Sequence, residues 1–465
     1  MREEILLVGL EVVVVLWLTG WAVRAVRDMA AGHATAVSIA IGVHYLFSGV
    51  PLLLDLTGFS PTYVGWPTFR YSAFDPVTRL TYACYVAFCP AFWWYTGRVV
   101  RKTRGGPGAA EAQAKFRHYI SRWMPVLWVV VFLPVVLLFF APDPGAYATY
   151  GAVIRGRFND TAIEYHRYIN VATPLALVAA ATLAFSSRRI WRALAGLSPL
   201  MFLTIWLNGK RNSVAIWLLL IIIVLYLRGK LRGWRAVAVS TVAVAIFGFY
   251  SYNYQSIYRT TSVLTRERLY ENARMDFGRD HGIKMAIYAE LHPDEFQILE
   301  YRAQSMLFYL TFYVPRTMWD DKPWPYAVYS TAAALEIRPR YIGWGITTTW
   351  LEEAVATFSW FGLFLGPLLI ALVCRIGDST GEPVASFLSK LVVALLLTVQ
   401  LAAWLPVAFV WCAAILRARL ISKREAARAK RLVKLLRPSV VTTGSGVRPL
   451  LPISASQQAK VHNPS

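Results

Sequence analysis

Residues 193–207 read ALAGLSPLMFLTIWL, residues 213–227 read SVAIWLLLIIIVLYL, and between them stands the polar turn Asn208-Gly209-Lys210-Arg211-Asn212. Neither run leaves a polar face for water, so a soluble helix pair does not fit, whereas two membrane crossings joined by a tight turn do. The pattern recurs along the chain. Apolar runs occupy 5–23, 36–56, 76–96, 123–141, 168–185, 193–207, 213–227, 235–253 and 354–374, and a long stretch follows at 384–416. A crossing needs roughly 20 mostly apolar residues, and these runs approach that length repeatedly. The composition agrees: 57% of the 465 residues are hydrophobic, 18 are tryptophan and 16% are charged, more apolar surface than one soluble core can bury. The expected fold class is therefore all-α, a polytopic transmembrane helix bundle. Ile5 to Val23 carries Glu11 and is followed by no small-residue cleavage site, so it reads as a retained helix and not as a removable signal peptide.

Charge gives the expected topology. A net charge of +22 would suggest nucleic acid in a soluble protein, but the basic residues lie in short blocks between apolar runs and in the tail, so no nucleic-acid partner is expected. Arg98, Arg101, Lys102, Arg104, Lys115, Arg117 and Arg122 form one block, Arg188, Arg189 and Arg192 a second, and Arg228, Lys230, Arg232 and Arg235 a third. Placing these and the basic tail from Arg417 in the cytoplasm puts the N-terminus outside. It also requires 384–416 to cross twice, turning near Gln400 to Pro406, for about eleven spans. Four regions follow: 1–253, eight helices with short loops; 254–351, an outer loop with interfacial helices; 352–416, the C-terminal helices; and 417–465, a basic cytoplasmic tail whose Ser/Gly/Pro-rich end reads as disordered. In the outer loop apolar residues recur at helical spacing in Ile283 to Leu291 and Phe296 to Tyr313, while Trp319, Trp324, Tyr326 and Tyr329 crowd its second half.

Three features could carry chemistry on that outer side. Lys210 and Arg211 sit where the charge rule expects few cations. They are either snorkelling side chains or an anion site at the depth where a lipid-linked phosphate is presented. Arg316 and Lys322, in a segment stiffened by Pro315 and Pro323, suit an anion held against an aromatic surface, or else a solvated loop paired internally with Asp320 and Asp321. Glu352 and Glu353 open the ninth span, where one carboxylate can complement the helix dipole and the other could accept a proton from a hydroxyl. His281 and His292 are rival bases, or polar surface.

Several chemistries are excluded by pattern. The chain has no Walker-type glycine loop, no HExxH, no cysteine pair at zinc spacing and no GxSxG elbow. Cys84, Cys89, Cys374 and Cys412 all fall in apolar runs and read as small packing residues. The Asp-x-Asp metal signature of many lipid-dependent glycosyltransferases is missing near the first outer loop, so no metal and no other cofactor is expected.

In these segments the chain resembles the bacterial oligosaccharide repeat-unit polymerases, the O-antigen and capsule polymerase group. Leu207 to Asn212 is similar to that family's small-residue, Gly, Lys/Ser, Arg turn, and Tyr313 to Pro323 to its Pro-Arg, Trp, Lys-Pro motif. Glu353 to Gly362 is similar to its Glu, aromatic-Gly, Gly motif, with Ser359 standing where a Gly is usual, and Asp276-Phe277-Gly278-Arg279-Asp280 resembles an Asp/Gly-Arg-Asp element. The likeness covers Leu203 to Gly366; the first five spans match in hydropathy alone. It implies a fold akin to the GT-C lipid-dependent glycosyltransferases. It also implies transfer of a growing glycan from a polyprenyl diphosphate carrier to an incoming lipid-linked repeat unit, at the outer face of the cytoplasmic membrane. On that reading Lys210, Arg211, Arg316 and Lys322 clamp the leaving diphosphate in place of a metal, with Arg279 joining them. Glu353 is the base or acceptor-orienting group, and Trp319, Trp324 and Trp350 stack on sugar rings. Partners would be the lipid-linked substrates, membrane lipid, a chain-length regulator and a flippase. The rival readings are an O-antigen ligase, a lipid-linked oligosaccharide flippase or transporter, and a membrane scaffold; a transporter would be expected to show repeat symmetry between halves.

Overall fold

The computed structural model describes all residues except 1, 32–34, 64, 100–107, 151–159, 232, 259–264, 343–344, 381 and 437–465. Among the described residues the chain is helical throughout, with no strand. The expected disordered end beyond Pro438 lies outside the described residues, as do Arg101, Lys102, Arg104 and Arg232 of the basic blocks. Residues 1–418 form one compact unit; a second begins at Arg419 and is helical through Leu436.

Eight helical stretches among the described residues are long and apolar enough to cross a membrane. The chain is thus a multi-pass membrane protein. The first helix, α1 (Arg2–Ala30), is followed by α2 (Ala36–His44), which runs through a π-turn at Tyr45–Gly49 into α3 (Val50–Asp55). After the short α4 (Pro67–Phe74) come α5 (Pro76–Thr96), α6 (Gly108–Phe139), α7 (Asp160–Ser186), α8 (Ile190–Asn208), α9 (Arg211–Leu227) and α10 (Trp234–Tyr258). One charge pair joins two of the apolar helices. Glu11 of α1, 8% exposed, accepts from Nε and Nη2 of Arg79 on α5, both at 3.0 Å, a planar two-point pair that cancels both charges away from water.

The outer-loop region holds α11 (Arg266–Phe277), α12 (Asp280–Leu291), α13 (Gln304–Leu310) and α14 (Tyr326–Leu335). Two expectations need correction here. The helix expected over Phe296 to Tyr313 is confined to Gln304–Leu310, because Ala303 takes a left-handed conformation (φ +60°) and begins the helix afresh. Nor is α12 an interfacial helix: Asp280 to Ile287 are all buried, since it packs against α4, α5 and the helix that follows the loop.

That following helix, α15 (Trp350–Phe358), contains the expected loop boundary at Leu351, so the true break comes later. At Ser359 the chain adopts φ +57°, ψ −144°, a conformation that ordinarily requires glycine. A 3₁₀ turn follows, then α16 (Gly362–Thr380). The two helices fold back on each other: a Cβ on Gly362 would lie 2.1 Å from the Ala354 carbonyl oxygen, and Trp350 Nε1 donates to Gly366 O at 3.1 Å. The run 354–374, read as one crossing, is therefore a buried helix hinged against a membrane helix. The Ser359 hydroxyl, donated to Glu290, helps hold the hinge, and Arg302 binds both Glu290 and the Ala356 carbonyl. Finally α17 (Pro383–Thr398) and α18 (Leu401–Leu436) are separated at Val399–Gln400; Pro406 falls within α18 and is not the turn.

Candidate functional site

The turn between α8 and α9 is built by its own side chains. Gly209, at φ +67°, lets α8 end in a left-handed cap whose N–H returns to Ile205 O at 3.0 Å. Asn208 is buried, donating to Asn170 Oδ1 of α7 at 2.9 Å and accepting from the Ser213 hydroxyl at 2.6 Å. This fixes Lys210 just before the first turn of α9 and Arg211 within it, where the free N–H groups and the helix dipole favour an anion. Lys210 remains accessible although the protein packed around it lowers its pKa by desolvation. Buried His166 of α7 lies within electrostatic reach of Lys210, with its Nδ1 3.4 Å from the Tyr147 hydroxyl and Asn170 and Asn208 alongside.

Arg279 reaches the same place from the other half of the chain. It precedes α12, whose start is held by an ion cluster: Arg274 donates to both oxygens of Asp280 (2.6 and 2.5 Å) and both of Asp55 (2.7 and 3.1 Å), and Lys284 Nζ is 3.0 Å from Asp280. Tyr270 and Tyr63 complete it, through hydroxyl contacts to Asp55 (2.8 Å) and Arg274 (3.3 Å). Burial alone would raise the Asp280 pKa, but Arg274 and then Lys284 hold it far below the usual carboxylate range. Two cations and two carboxylates balance, so the cluster can be buried as a unit. Arg279 itself has an unpartnered Nε and stands 5.4 Å from the Phe47 ring centroid. Burial, and then the neighbouring charge of Arg211, pull its pKa down to about 10, with Glu352 opposing. Arg211, Arg279 and Glu352 therefore share one locality.

The two carboxylates of α15 face different neighbours. Glu352, 2% exposed, accepts from the Thr349 N–H at the helix start and packs on Gly282 of α12, where a Cβ would land 1.5 Å from its Oε2. Glu353, fully buried, lies beside the hydroxyls of Tyr309 and Ser305. Burial, then the charge of Glu353 and the hydrogen bond to it, raise the pKa of Tyr309 on α13.

The loop cations are largely occupied by the loop itself. Arg316 donates to Pro323 O at 2.9 Å and stacks 3.3 Å over the Trp324 ring. Lys322 Nζ donates to the carbonyls of Phe312 (3.1 Å) and Val314 (2.7 Å), and burial followed by the Arg316 charge lowers its pKa. Neither cation pairs with Asp320 or Asp321 among the described residues, so the solvated ion-paired loop is not what forms. Arg316 does feel Arg167 of α7, next to His166, which brings this motif toward the turn. Trp319 is half-buried, Trp324 lies under a guanidinium, and Trp350 is wedged between α15 and α16, 8% exposed.

His281 packs against Phe69 (4.5 Å between centroids), and burial drives its pKa down to about 3, which makes it a neutral core residue. His292 stacks on Tyr288 at 4.4 Å, near Asp75. Sequence reasoning missed His166, Arg167 and Tyr309. A His-Arg pair opening an apolar run that contains Asn170 was a usable signal for the first two; nothing local marked Tyr309. Compared with family models, with characterised proteins and with solved structures, the chain matches none.

Proposed function

We propose that this protein polymerises polyprenyl-diphosphate-linked oligosaccharide repeat units into a surface polysaccharide. It would do so at the outer face of the cytoplasmic membrane, with the N-terminus outside and the tail inside. On this reading α5, α9 and α17 also cross, which brings the eight long apolar helices to about eleven spans. The observation that carries the proposal is that Glu352 packs on Gly282 of α12 while Arg279, which precedes that helix, feels the charges of both Glu352 and Arg211, three residues far apart in sequence. Cations gathered at a helix N-terminus beside buried carboxylates suit a reaction that expels a diphosphate and removes a proton. An acceptor hydroxyl attacks the anomeric carbon, the bond from that carbon to the phosphate oxygen breaks, and the hydroxyl proton passes to a carboxylate of α15. Arg211, Arg279 and Lys210 take up the charge that develops on the departing diphosphate.

Deleting the gene and resolving surface polysaccharide on a gel tests the activity: single-repeat glycan in place of a ladder supports polymerisation. An unchanged ladder refutes it, and loss of all outer glycan points to a ligase or flippase. Arg211→Ala and Arg279→Ala, returned to the deletion strain at normal abundance, are each expected to fail to restore the ladder.

A further inference from the structure

The packed pair α1 and α5 treats its cations differently at its two ends. At the end near His292 and the outer loop, Arg79 of α5 is met by two carboxylates of α1, Glu4 at 3.1 Å and Glu11 at 3.0 Å. At the opposite end Arg24 of α1 stacks on two buried tryptophans, 4.1 Å from the Trp94 ring centroid and 5.5 Å from that of Trp21. Arg98 lies over Trp94 as well, at 3.8 Å, so one indole carries two guanidiniums. Asp28 binds Arg98 at 3.3 Å. The other carboxylates of this end, Asp378 and Glu382, cap the starts of α2 and α17 through Ala36 N (3.0 Å) and Ala385 N (2.7 Å). Arg24 is exposed and, among the described residues, has no carboxylate and no hydrogen-bond acceptor. Stacking fixes its plane and leaves the N–H edges free, a fork that matches phosphate oxygens. Below it, Gly20, Trp17, Leu16 and Val13 follow at helical spacing on the same face of α1, all exposed. Gly20 makes a notch in that face, since a Cβ there would meet nothing within 4 Å.

We infer that Arg24, Trp94 and Arg98 form a binding site for the phosphodiester headgroup of an anionic phospholipid, in the leaflet away from the outer loop. The phosphate oxygens accept from the Arg24 fork and from the N–H groups of Arg98 that Asp28 does not take. The acyl chain lies along α1 over Gly20, beside Trp17. A lipid fits better than a free phosphate because the cations end an exposed apolar face, at the depth where a headgroup is presented. The bound anion does for this end of the α1–α5 pair what Glu4 and Glu11 do for the other: it relieves a cation at the edge of an apolar contact and ties the two helices together. The site lies away from the proposed reaction and does not depend on the polymerase reading.

The full chain, purified in a neutral detergent, is melted with phosphatidylglycerol, with phosphatidylcholine and with inorganic phosphate. Phosphatidylglycerol should raise the wild-type melting temperature clearly more than phosphatidylcholine, and inorganic phosphate should leave it unchanged. Arg24→Gln should weaken phosphatidylglycerol binding about fivefold, the share of one cation at a charged membrane surface. Arg24→Lys keeps the charge but loses the planar fork, and should fall between the two. Arg189→Gln removes an exposed cation from another basic block and should bind like the wild type. Native mass spectrometry of retained phosphatidylglycerol should rank the four proteins in the same order, and it reads binding even where a variant melts early. Equal binding by wild type and Arg24→Gln would overturn the site. So would an equal loss in Arg189→Gln, which would show diffuse attraction to the whole basic surface, or an equal shift with phosphatidylcholine. A shift reproduced by inorganic phosphate would assign the cations to a free anion and overturn the lipid.

Discussion

Replacing Arg274 with methionine is the sharpest test of how the site is held. Arg274, 2% exposed, donates to Asp280, Asp55 and Tyr63, and among the described residues no other side chain joins α11, α3 and the start of α12. Methionine restores most of the stem volume but none of the donors. Asp280 keeps only Lys284, Asp55 keeps only Tyr270, and a cluster of balanced charge acquires one uncompensated negative charge. Breaking a buried ion pair from one side costs about 3–5 kcal/mol, several times the worth of a surface pair. Equilibrium unfolding of the purified protein in mixed micelles should show a loss of that size. Asp280→Asn in the Arg274→Met background should recover about 1–3 kcal/mol of it, because the orphaned charge is then gone. Because Arg279 is anchored by this cluster, Arg274→Met should also abolish chain extension. A single-variant cost below about 1 kcal/mol, or strict additivity in the double variant, would show that the cluster is not a unit and refute the reasoning.

Three further outcomes are expected. Gly282→Ala places a methyl where Glu352 Oε2 now lies, 1.5 Å from the new Cβ, so α12 and α15 must part; we expect about 1–3 kcal/mol of destabilisation and a strong loss of extension, read by melting and by the ladder. His281, depressed to about 3 against an unfolded value near 6.5, binds a proton more readily when unfolded, so its contribution to stability is full above about pH 6.5 and falls as pH drops toward 3. The wild type should therefore lose stability between pH 6.5 and 4.5 relative to His281→Phe, by at most about 1.4 kcal/mol per pH unit, and parallel melting curves across that window would exclude it. Lys322→Met removes two bonds to the carbonyls of Phe312 and Val314 without touching the turn, so protease nicking of 311–325 should rise severalfold before global stability changes.

Hydropathy made most of the bundle legible, because each apolar run must form a helix in lipid whatever its neighbours do. It misled where a helix is apolar for another reason. Trp350 to Thr380 is apolar enough to read as one crossing, yet α15 is buried in protein rather than lipid, and the break falls at Ser359, whose glycine-like φ no hydropathy profile encodes. The site was legible to the same degree. Lys210 and Arg211 stood out because cations at an outer turn are costly to explain. Arg279 gained meaning only when α12 folded against α15, a contact between segments about 70 residues apart that no local pattern reports. Lys322 was read as a ligand for an anion, but its charge is spent on carbonyls of its own loop, a use that sequence spacing cannot distinguish.

The adjacency of Glu352 and Glu353 acquires a reason from helix geometry. Successive residues on an α-helix are about 100° apart, so two neighbouring carboxylates cannot serve one site without distortion, but they can serve two. Here Glu352 lies against Gly282 and near Arg279, and Glu353 lies beside the hydroxyls of Tyr309 and Ser305, while Tyr326 feels both acids. A helix that must present one acid to a cationic site and another to hydroxyls has to be inserted between them, with both faces covered. That placement is incompatible with a straight membrane helix, whose outer faces meet lipid. The reversal at Ser359 supplies it, freeing α15 to fold back along α16 at the cost of a strained residue. If the hinge exists to seat the two acids, then Gly362→Ala, whose Cβ would press on the Ala354 carbonyl at 2.1 Å and force α15 away from α16, should disable both sides at once. Extension by the Arg211–Arg279 site and the melting temperature should fall together, whereas retained extension would show that α15 is held by something other than this fold-back.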